Sequence, residues 1–220
     1  MKQWFVMIGL IIQSSAALSA LQAEELSICW EKELKPPYLT LNKEGQVSGS
    51  MVKTLEAILD KANIQYKHIL MPWVRCLQAT EEGKIDILPN ASLKAERTHY
   101  AYYSDAAYTS ELAVYFLKKK YEHLNIRNAT DLSQYTVGGM KGFNYSFYGR
   151  GVKVEPRART RKQLIELLKL ERIDLAIMQK RVLNQMVNAG LVNIADIDHI
   201  PDHIHPTKSY HIMVSHKTPD

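Results

Sequence analysis

The chain has 220 residues, 46% of them hydrophobic and 23% charged, with a formal net charge of +5. That length allows one large or two small domains. The Lys and Arg residues are scattered and form no basic patch interleaved with aromatics, so no nucleic acid partner is expected.

"MKQWFVMIGLIIQSSAALSALQA" opens the sequence with one Lys, an apolar run from Trp4 to Ile12, and then small residues. The pattern is that of a secretory signal peptide over 1–23, cut after Ala23 or else after Ala20. The apolar run is too short to span a bilayer, though an N-terminal anchor helix is the competing interpretation. No Cys follows the run to accept lipid, and no later stretch is long and apolar enough to cross a membrane. A soluble exported protein follows, with the periplasm as its expected compartment. Its two cysteines, Cys29 and Cys76, then form either one disulfide or two buried thiols.

"LSICW" at 26–30 is apolar and alternating, a first strand. "KPPY" breaks regular structure, and "NKEGQ" at 42–46 is a turn. From Ser50 to Ala62 the apolar residues Met51, Val52, Leu55, Ile58, Leu59 and Ala62 fall at helical spacing. "YKHIL" at 66–70 predicts a strand, Pro72 to Glu82 a helix with Pro72 near its first turn, and "KIDIL" at 84–88 and "ELAVYFLKK" at 111–119 two more strands. "KKK" at 118–120 reads as a solvated strand end.

The second half repeats this grammar. "YTVGGM" at 135–140 and "VKVEP" at 152–156 predict strands. Thr160 and Gln163 make a capping-box pattern that starts a helix with Leu164, Leu167 and Leu168 on its apolar face. "RIDLAIM" at 172–178 is a strand, Lys180 to Ala189 a helix stopped by Gly190, and "YHIMVS" at 210–215 a last strand. "EEGKIDILPN" and "LERIDLAIMQK" are near echoes around Asp86 and Asp174. Strands alternating with helices predict an α/β fold with mainly parallel sheets, and the echo predicts two such lobes. Ligands of open α/β sheets bind beyond the carboxyl ends of the strands, so the polar ends "PNAS" and "QKR" are expected to face each other across a cleft.

The ordered set Pro-Trp at 72–73, Gly-x-Ile-Asp at 83–86, Arg97 and Tyr-Ser-Asp at 103–105 resembles the family 3 extracellular solute-binding proteins, the periplasmic receptors of amino-acid-type ABC importers. The likeness runs from "KPPYLTL" through "DLSQYTVGGMKG" to "RIDLAIMQK", in a divergent branch. It implies a type II periplasmic-binding-protein-like fold, with lobe 1 at 24–112 plus 209–220 and lobe 2 at 113–208. Two strands, "ELAVYFLKK" and "PTKSYHIMVS", are implied to cross between the lobes as a hinge that closes on the ligand. Family members usually continue past the last crossing strand into a helix on lobe 1, where this chain reads "SHKTPD".

The resemblance also assigns residues. Arg97 matches the arginine that grips a ligand carboxylate with its planar fork; Lys94 stands where Thr is common, and the competing role for Arg97 is a surface ion pair with Glu96 or Asp105. Asn90 and Ser92 match hydrogen-bonding positions, Ser92 also being a helix cap candidate. Trp73 and Tyr38 match walls that pack on the ligand, or else core. Gly142, Phe143 and Asn144 match a lobe 2 "G-T-T" cradle that here lacks both hydroxyls, or else form an ordinary turn. Gln179 stands where receptors for amino acids place an Asp against the ligand's ammonium. An ammonium buried without a counter-charge is costly, so a standard α-amino acid is in doubt and an acid without an amine fits. Glu31 is a candidate substitute carboxylate.

The histidines of "HIPDHIH", His199, His203 and His205, have no metal-ligand spacing and read as an exposed loop. The sequence thus points to a monomeric, cofactor-free receptor that passes a small, carboxylated polar solute to a membrane permease. The rivals are a dehydratase-like enzyme on the same scaffold, for which no paired carboxylates stand at the strand ends, and a receptor docking on a membrane sensor.

Overall fold

The structure is a computed structural model that describes residues 25–219, so the signal peptide expected over 1–23 lies outside the described residues. In chain order its first elements are β1 (Leu26–Glu31), β2 (Thr40–Leu41), β3 (Val47–Ser48), α1 (Ser50–Lys61), β4 (Tyr66–Met71), α2 (Trp73–Glu82), β5 (Ile87–Ala91), β6 (Ala101–Tyr103) and β7 (Tyr108–Leu117). Then follow α3 (Ala129–Leu132), β8 (Val137–Met140), β9 (Val154–Ala158), α4 (Arg161–Lys169), β10 (Leu175–Gln179), α5 (Lys180–Asn188), β11 (Ile197–Pro201) and β12 (Thr207–Ser215).

Ten strands form one curled path, β4-β1-β5-β12-β7-β10-β8-β9, with β6 added on β12 and β11 on β7, while β2 and β3 pair separately as a small antiparallel ribbon. At one end β4, β1 and β5 are parallel; at the other so are β10, β8 and β9. The two parallel groups are the two lobes. Between them run β12 and β7, antiparallel to each other from Thr207↔Glu111 to Tyr210↔Tyr108. Beyond that stretch β12 pairs with β5 and β6, while β7 pairs with β10 and β11. Both strands therefore belong partly to each lobe.

The apolar patterning accounts for the elements. Met51, Val52, Leu55 and Leu59 form the buried stripe of α1, whereas Ile58, placed on that face by its spacing, is 51% exposed. Leu112 to Leu117 of β7 are buried on both faces, as expected of a strand covered on each side. Thr160 caps α4 by accepting from the Gln163 N–H at 3.0 Å, while the Gln163 side chain turns back to the Arg159 N–H.

The echoed aspartates sit at the opposite ends of β5 and β10 from the cleft. Asp86 accepts from the Ser27 N–H and hydroxyl at 2.8 and 2.7 Å, and its own N–H donates to the Ser27 carbonyl. Asp174 accepts from the Thr136 N–H at 2.8 Å and donates its N–H to the Thr136 carbonyl. Each aspartate ties its strand to the neighbouring parallel one, which is why the two strands begin at Ile87 and Leu175, later than the expected 84 and 172. β8 and β9 also begin two residues late. Five elements were not expected: the short β2 and β3 on either side of the 42–46 turn, β6, the one-turn α3 with its Asn128–Asp131 capping box, and β11. β11 takes His199 out of the expected loop, and its ring stacks on Tyr115 with centroids 5.4 Å apart. His203 stays exposed and His205 packs edge-on against Phe147 and Tyr148.

Candidate functional site

One wall of the cleft is built at the carboxyl ends of β1 and β5. Asn90, one residue before the end of β5, is held at φ 60°, and its side chain accepts from the Tyr108 hydroxyl at 2.8 Å. The chain then turns through Ser92 into a single 3-10 turn, Ala95–Arg97, which delivers Arg97 into the cleft at 6% exposure. Arg97 donates to the Gly142 carbonyl at 2.7 Å and to the Ser92 carbonyl at 3.4 Å. Its guanidinium lies 5.8 Å from the Trp73 ring centre. Among the described residues no carboxylate pairs with Arg97; Glu96 faces Lys94 instead, at 3.6 Å.

The other wall comes from the end of β8 and the turn after it. Gly142 has φ 76°, and a Cβ there would approach Trp73 to 3.0 Å, so glycine suits the close approach. Its carbonyl accepts from both Arg97 and the Trp73 indole, the latter at 3.0 Å. Phe143 meets Trp73 edge-on, centroids 6.1 Å apart. Asn144 donates to the Leu93 carbonyl at 2.6 Å and accepts from Ser146. Gln179 ends β10, is 5% exposed, and has no hydrogen-bond partner for its Nε2.

These contacts join the two lobes directly, so the cleft is closed. A groove of about 720 Å³ stays open at its mouth, beside Glu31, Glu33, Trp73 and Arg159, and inside it are two small cavities. One, of about 20 Å³, is lined by Glu31, Lys35, Trp73, Asn90, Ser92, Arg97, Phe143, Asn144, Lys208 and Tyr210. The second, of about 30 Å³, lies among Arg161, Gln179, Tyr145, Met140 and neighbours and shares Phe143, Lys208 and Tyr210 with the first. Each has room for little more than a water molecule, so a solute enters only when the lobes part. Seven of the ten expected ligand-contacting residues line the first cavity, all but Gly142, Gln179 and Tyr38; Gln179 lines the second, and Gly142 stands at the lobe contact. Tyr38 does not reach either cavity. It stacks behind Tyr108 at 3.9 Å, and Tyr108 stacks on Tyr210 at 5.0 Å, so Tyr38 is core.

Charges missed by the sequence reading dominate the interior. Arg161, first residue of α4 and 3% exposed, faces Glu33 at 3.4 Å and Glu31 at 3.9 Å. The backbone N–H of Arg161 also donates to Glu33. Glu31 lines the first cavity, and the charge nearest its carboxyl is Arg161 of the opposite lobe, so a ligand ammonium placed there would meet that guanidinium as a competitor. Burial pushes the Glu31 carboxyl up to about 7, against the pull of Arg161. Glu33 is likewise raised by burial. Lys35 lies over the Tyr210 ring at 3.6 Å, and burial, then Arg161, hold its ammonium well below its ordinary range. Lys208 stands over Phe147 at 4.3 Å and donates to the Asn144 carbonyl; burial, then nearby Arg97, bring it down to about 7. One signal for Arg161 was present in the sequence. A cation at a helix N-terminus opposes the helix dipole, and such a residue needs another use. Lys35 and Lys208 carry no such local mark.

Cys29 and Cys76 are joined in a disulfide with Cα atoms 5.8 Å apart. The bridge fastens the start of α2, which carries Trp73, to β1, which carries Glu31. It therefore holds two parts of one wall in register.

A two-lobed α/β clamp with crossing strands and polar strand ends meeting in a cleft defines a type II periplasmic-binding-protein fold, a class of ligand-binding proteins. Residues 26–144 match the bacterial extracellular solute-binding proteins, family 3, and the chain belongs to that family. No curated protein sequence matches it significantly. An ancestral arginine-binding protein bound to arginine is similar in structure, with TM-score 0.68 and 20% identity over 87% of this chain and 84% of the other. So is the arginine-, lysine-, histidine-binding protein of the thermophilic bacterium Geobacillus stearothermophilus, with TM-score 0.68 and 17% identity over 88% and 83% of the two chains. A histidine kinase sensor domain with similarity to periplasmic binding proteins has TM-score 0.67 and 16% identity over 87% and 82%.

Proposed function

We propose that the protein captures a small carboxylated solute in the periplasm and passes it to an ABC importer. Lobe 1 is assigned to 24–112 plus 209–220 and lobe 2 to 113–208, with β7 and β12 as the hinge. The observation that carries the reading is Arg97, a buried guanidinium with a carbonyl, and no carboxylate, as its acceptor. A ligand carboxylate entering the opened cleft replaces that carbonyl by a charge-assisted, bidentate pair, and a second set of contacts from lobe 2 then favours closure.

Arginine and histidine are ligands of the structural relatives. Here the cleft interior holds Lys35, Arg97, Arg161 and Lys208 against Glu31 and Glu33, and Gln179 stands neutral. That charge balance disfavours a cationic solute. A second reading, a receptor that docks on a membrane sensor, is favoured by the likeness to a kinase sensor domain. A third, a dehydratase-like enzyme, is favoured by the raised Glu31 carboxyl, although Arg161 holds that group.

The test is a thermal-shift screen of the mature protein against amino acids, their deaminated acids, polyamines and sugars, because a ligand of the folded form raises its melting temperature. A carboxylate hit that is lost in Arg97→Ala supports the reading. Hits confined to sugars or polyamines overturn it, and turnover of a prephenate-like acid favours the enzyme.

A further inference from the structure

We propose that the cleft holds a second acid-binding subsite, formed by Arg161, Gln179 and Lys208, and that its solute is a compact diacid without an amine. The inference rests on the proposed role of Arg97 as the first carboxylate clamp and extends it to the opposite side of the cleft.

The second cavity is where the unpaired donors gather. Among the described residues, seven buried side-chain nitrogen or oxygen atoms lack a hydrogen-bond partner, and three of these are Arg161 Nη1, Arg161 Nη2 and Gln179 Nε2. All three belong to residues that line this one cavity. Buried donors without acceptors cost free energy, and such groups in a binding protein are accounted for by an acceptor that arrives with the ligand. Arg161 is near Glu31 and Glu33, but none of those approaches places a carboxylate oxygen in hydrogen-bonding geometry with its guanidinium.

The charge count agrees. Four basic side chains, Lys35, Arg97, Arg161 and Lys208, face two acidic ones, Glu31 and Glu33. Burial in the closed cleft pushes Lys35 and Lys208 toward their neutral forms, and a ligand with two negative charges offsets the excess of basic groups. A monoacid removes half of it. An α-amino acid brings an ammonium into a cleft that has no free carboxylate to receive it.

The two cavities also adjoin. Phe143, Lys208 and Tyr210 are walls of both, and Lys208 is the basic member of the three. When the lobes part, one solute can lie across the shared wall with an acid group in each cavity and Lys208 between them. The aromatic walls Phe143 and Tyr210 then pack on its short apolar middle. Outside, the wider mouth beside Glu31 and Glu33 is lined by Lys32, Arg75, Lys141 and Arg159, cations suited to steering an anion inward.

The experiment is calorimetric titration of the mature protein with succinate and glutarate, with the matched monoacids butyrate and valerate, and with glutamate. The expected result is a diacid at least about tenfold tighter than its monoacid, the measure of one extra charged contact, with glutamate weaker than glutarate. In Gln179→Glu and in Arg161→Gln the diacid-to-monoacid ratio should fall toward one. Equal affinity for diacids and monoacids overturns the second subsite while leaving the Arg97 reading in place. Binding of no carboxylate overturns both. Because Arg161 also faces two glutamates, the Gln179→Glu ratio decides the matter if Arg161→Gln fails to fold, and an unchanged ratio there rejects the proposal.

Discussion

Arg97 on one lobe donates to the Gly142 carbonyl on the other at 2.7 Å, so the residue assigned to the ligand also joins the two lobes. The same carbonyl takes the Trp73 indole N–H. On the proposed reading the Gly142 carbonyl stands where a solute's oxygen would sit, and a solute would shift an open–closed balance by offering Arg97 a better acceptor.

Arg97→Ala removes both the ligand clamp and one lobe–lobe contact. A hydrogen bond to a charged group contributes about 1.5–3 kcal/mol, so carboxylate affinity should drop about 10- to 100-fold or more. Titration calorimetry measures the loss, and a cooperative melt by circular dichroism shows that the fold persists. Unchanged affinity rejects the clamp.

Gln179→Asp tests why amines are disfavoured. The change restores a carboxylate at the end of β10, beside a cleft that has none to spare. Binding of α-amino acids should improve about tenfold or more, the scale of one charged hydrogen bond. No gain shows that Gln179 is not the position that meets the ligand's amino group.

The echo of Asp86 and Asp174 shows what the sequence could and could not disclose. Their local pattern, a charged helix end followed by Ile-Asp and an apolar run, identified two parallel strands and hence two lobes. It could not disclose that each carboxylate bonds a neighbouring strand, Ser27 in one lobe and Thr136 in the other, because those partners are 59 and 38 residues away. The site divides in the same way. Arg97, Asn90, Ser92 and Trp73 carry local motifs and were legible. Arg161, Lys35 and Lys208 become cleft residues only when closure brings α4 and the crossing strand β12 against β1, and no local spacing encodes that meeting. For Tyr38 local sequence left two readings open, ligand wall or core, and the stacking of Tyr108 against it places it in the core.

Asp86→Ala should act on stability. The carboxylate takes two bonds from Ser27, and removing it leaves buried donors unpaired, a loss of about 2–3 kcal/mol. Chemical denaturation reads this as a lower midpoint at constant slope. A midpoint equal to that of the parent protein shows that the two bonds contribute nothing net.

Cys29 and Cys76 close a loop with a sequence separation of 47. Thiol titration of the denatured, unreduced protein should find no free thiol. Restricting the unfolded chain over such a loop stabilises the fold by about 4 kcal/mol in the chain-entropy account, and Cys29→Ser with Cys76→Ser should lose an amount of that order. Trp73 and Glu31 flank the bridge, so solute affinity should weaken as well. Two titratable thiols in the parent protein reject the bridge.

The pH response follows from two groups shifted in opposite directions. Glu31 is raised from 4.5 to about 7, so its contribution to the closed fold is full below 4.5 and is lost as pH rises through about 7. Lys208 is lowered from 10.5 to about 7, so its contribution is full above 10.5 and is lost as pH falls through about 7. Both losses are present together near neutral pH, where the empty closed form gains least from these groups. A carboxylate ligand beside Lys208 restores the ammonium, against the nearby charge of Arg97. Binding at pH 8, where Lys208 of the empty closed form is mostly neutral, should then take up close to one proton per solute by the linkage relation. Calorimetry in phosphate and in Tris separates this uptake through the buffers' different ionisation enthalpies. Lys208→Met should abolish the difference between buffers. No difference in the parent protein, or the same difference in the variant, shows that Lys208 does not meet the ligand's charge.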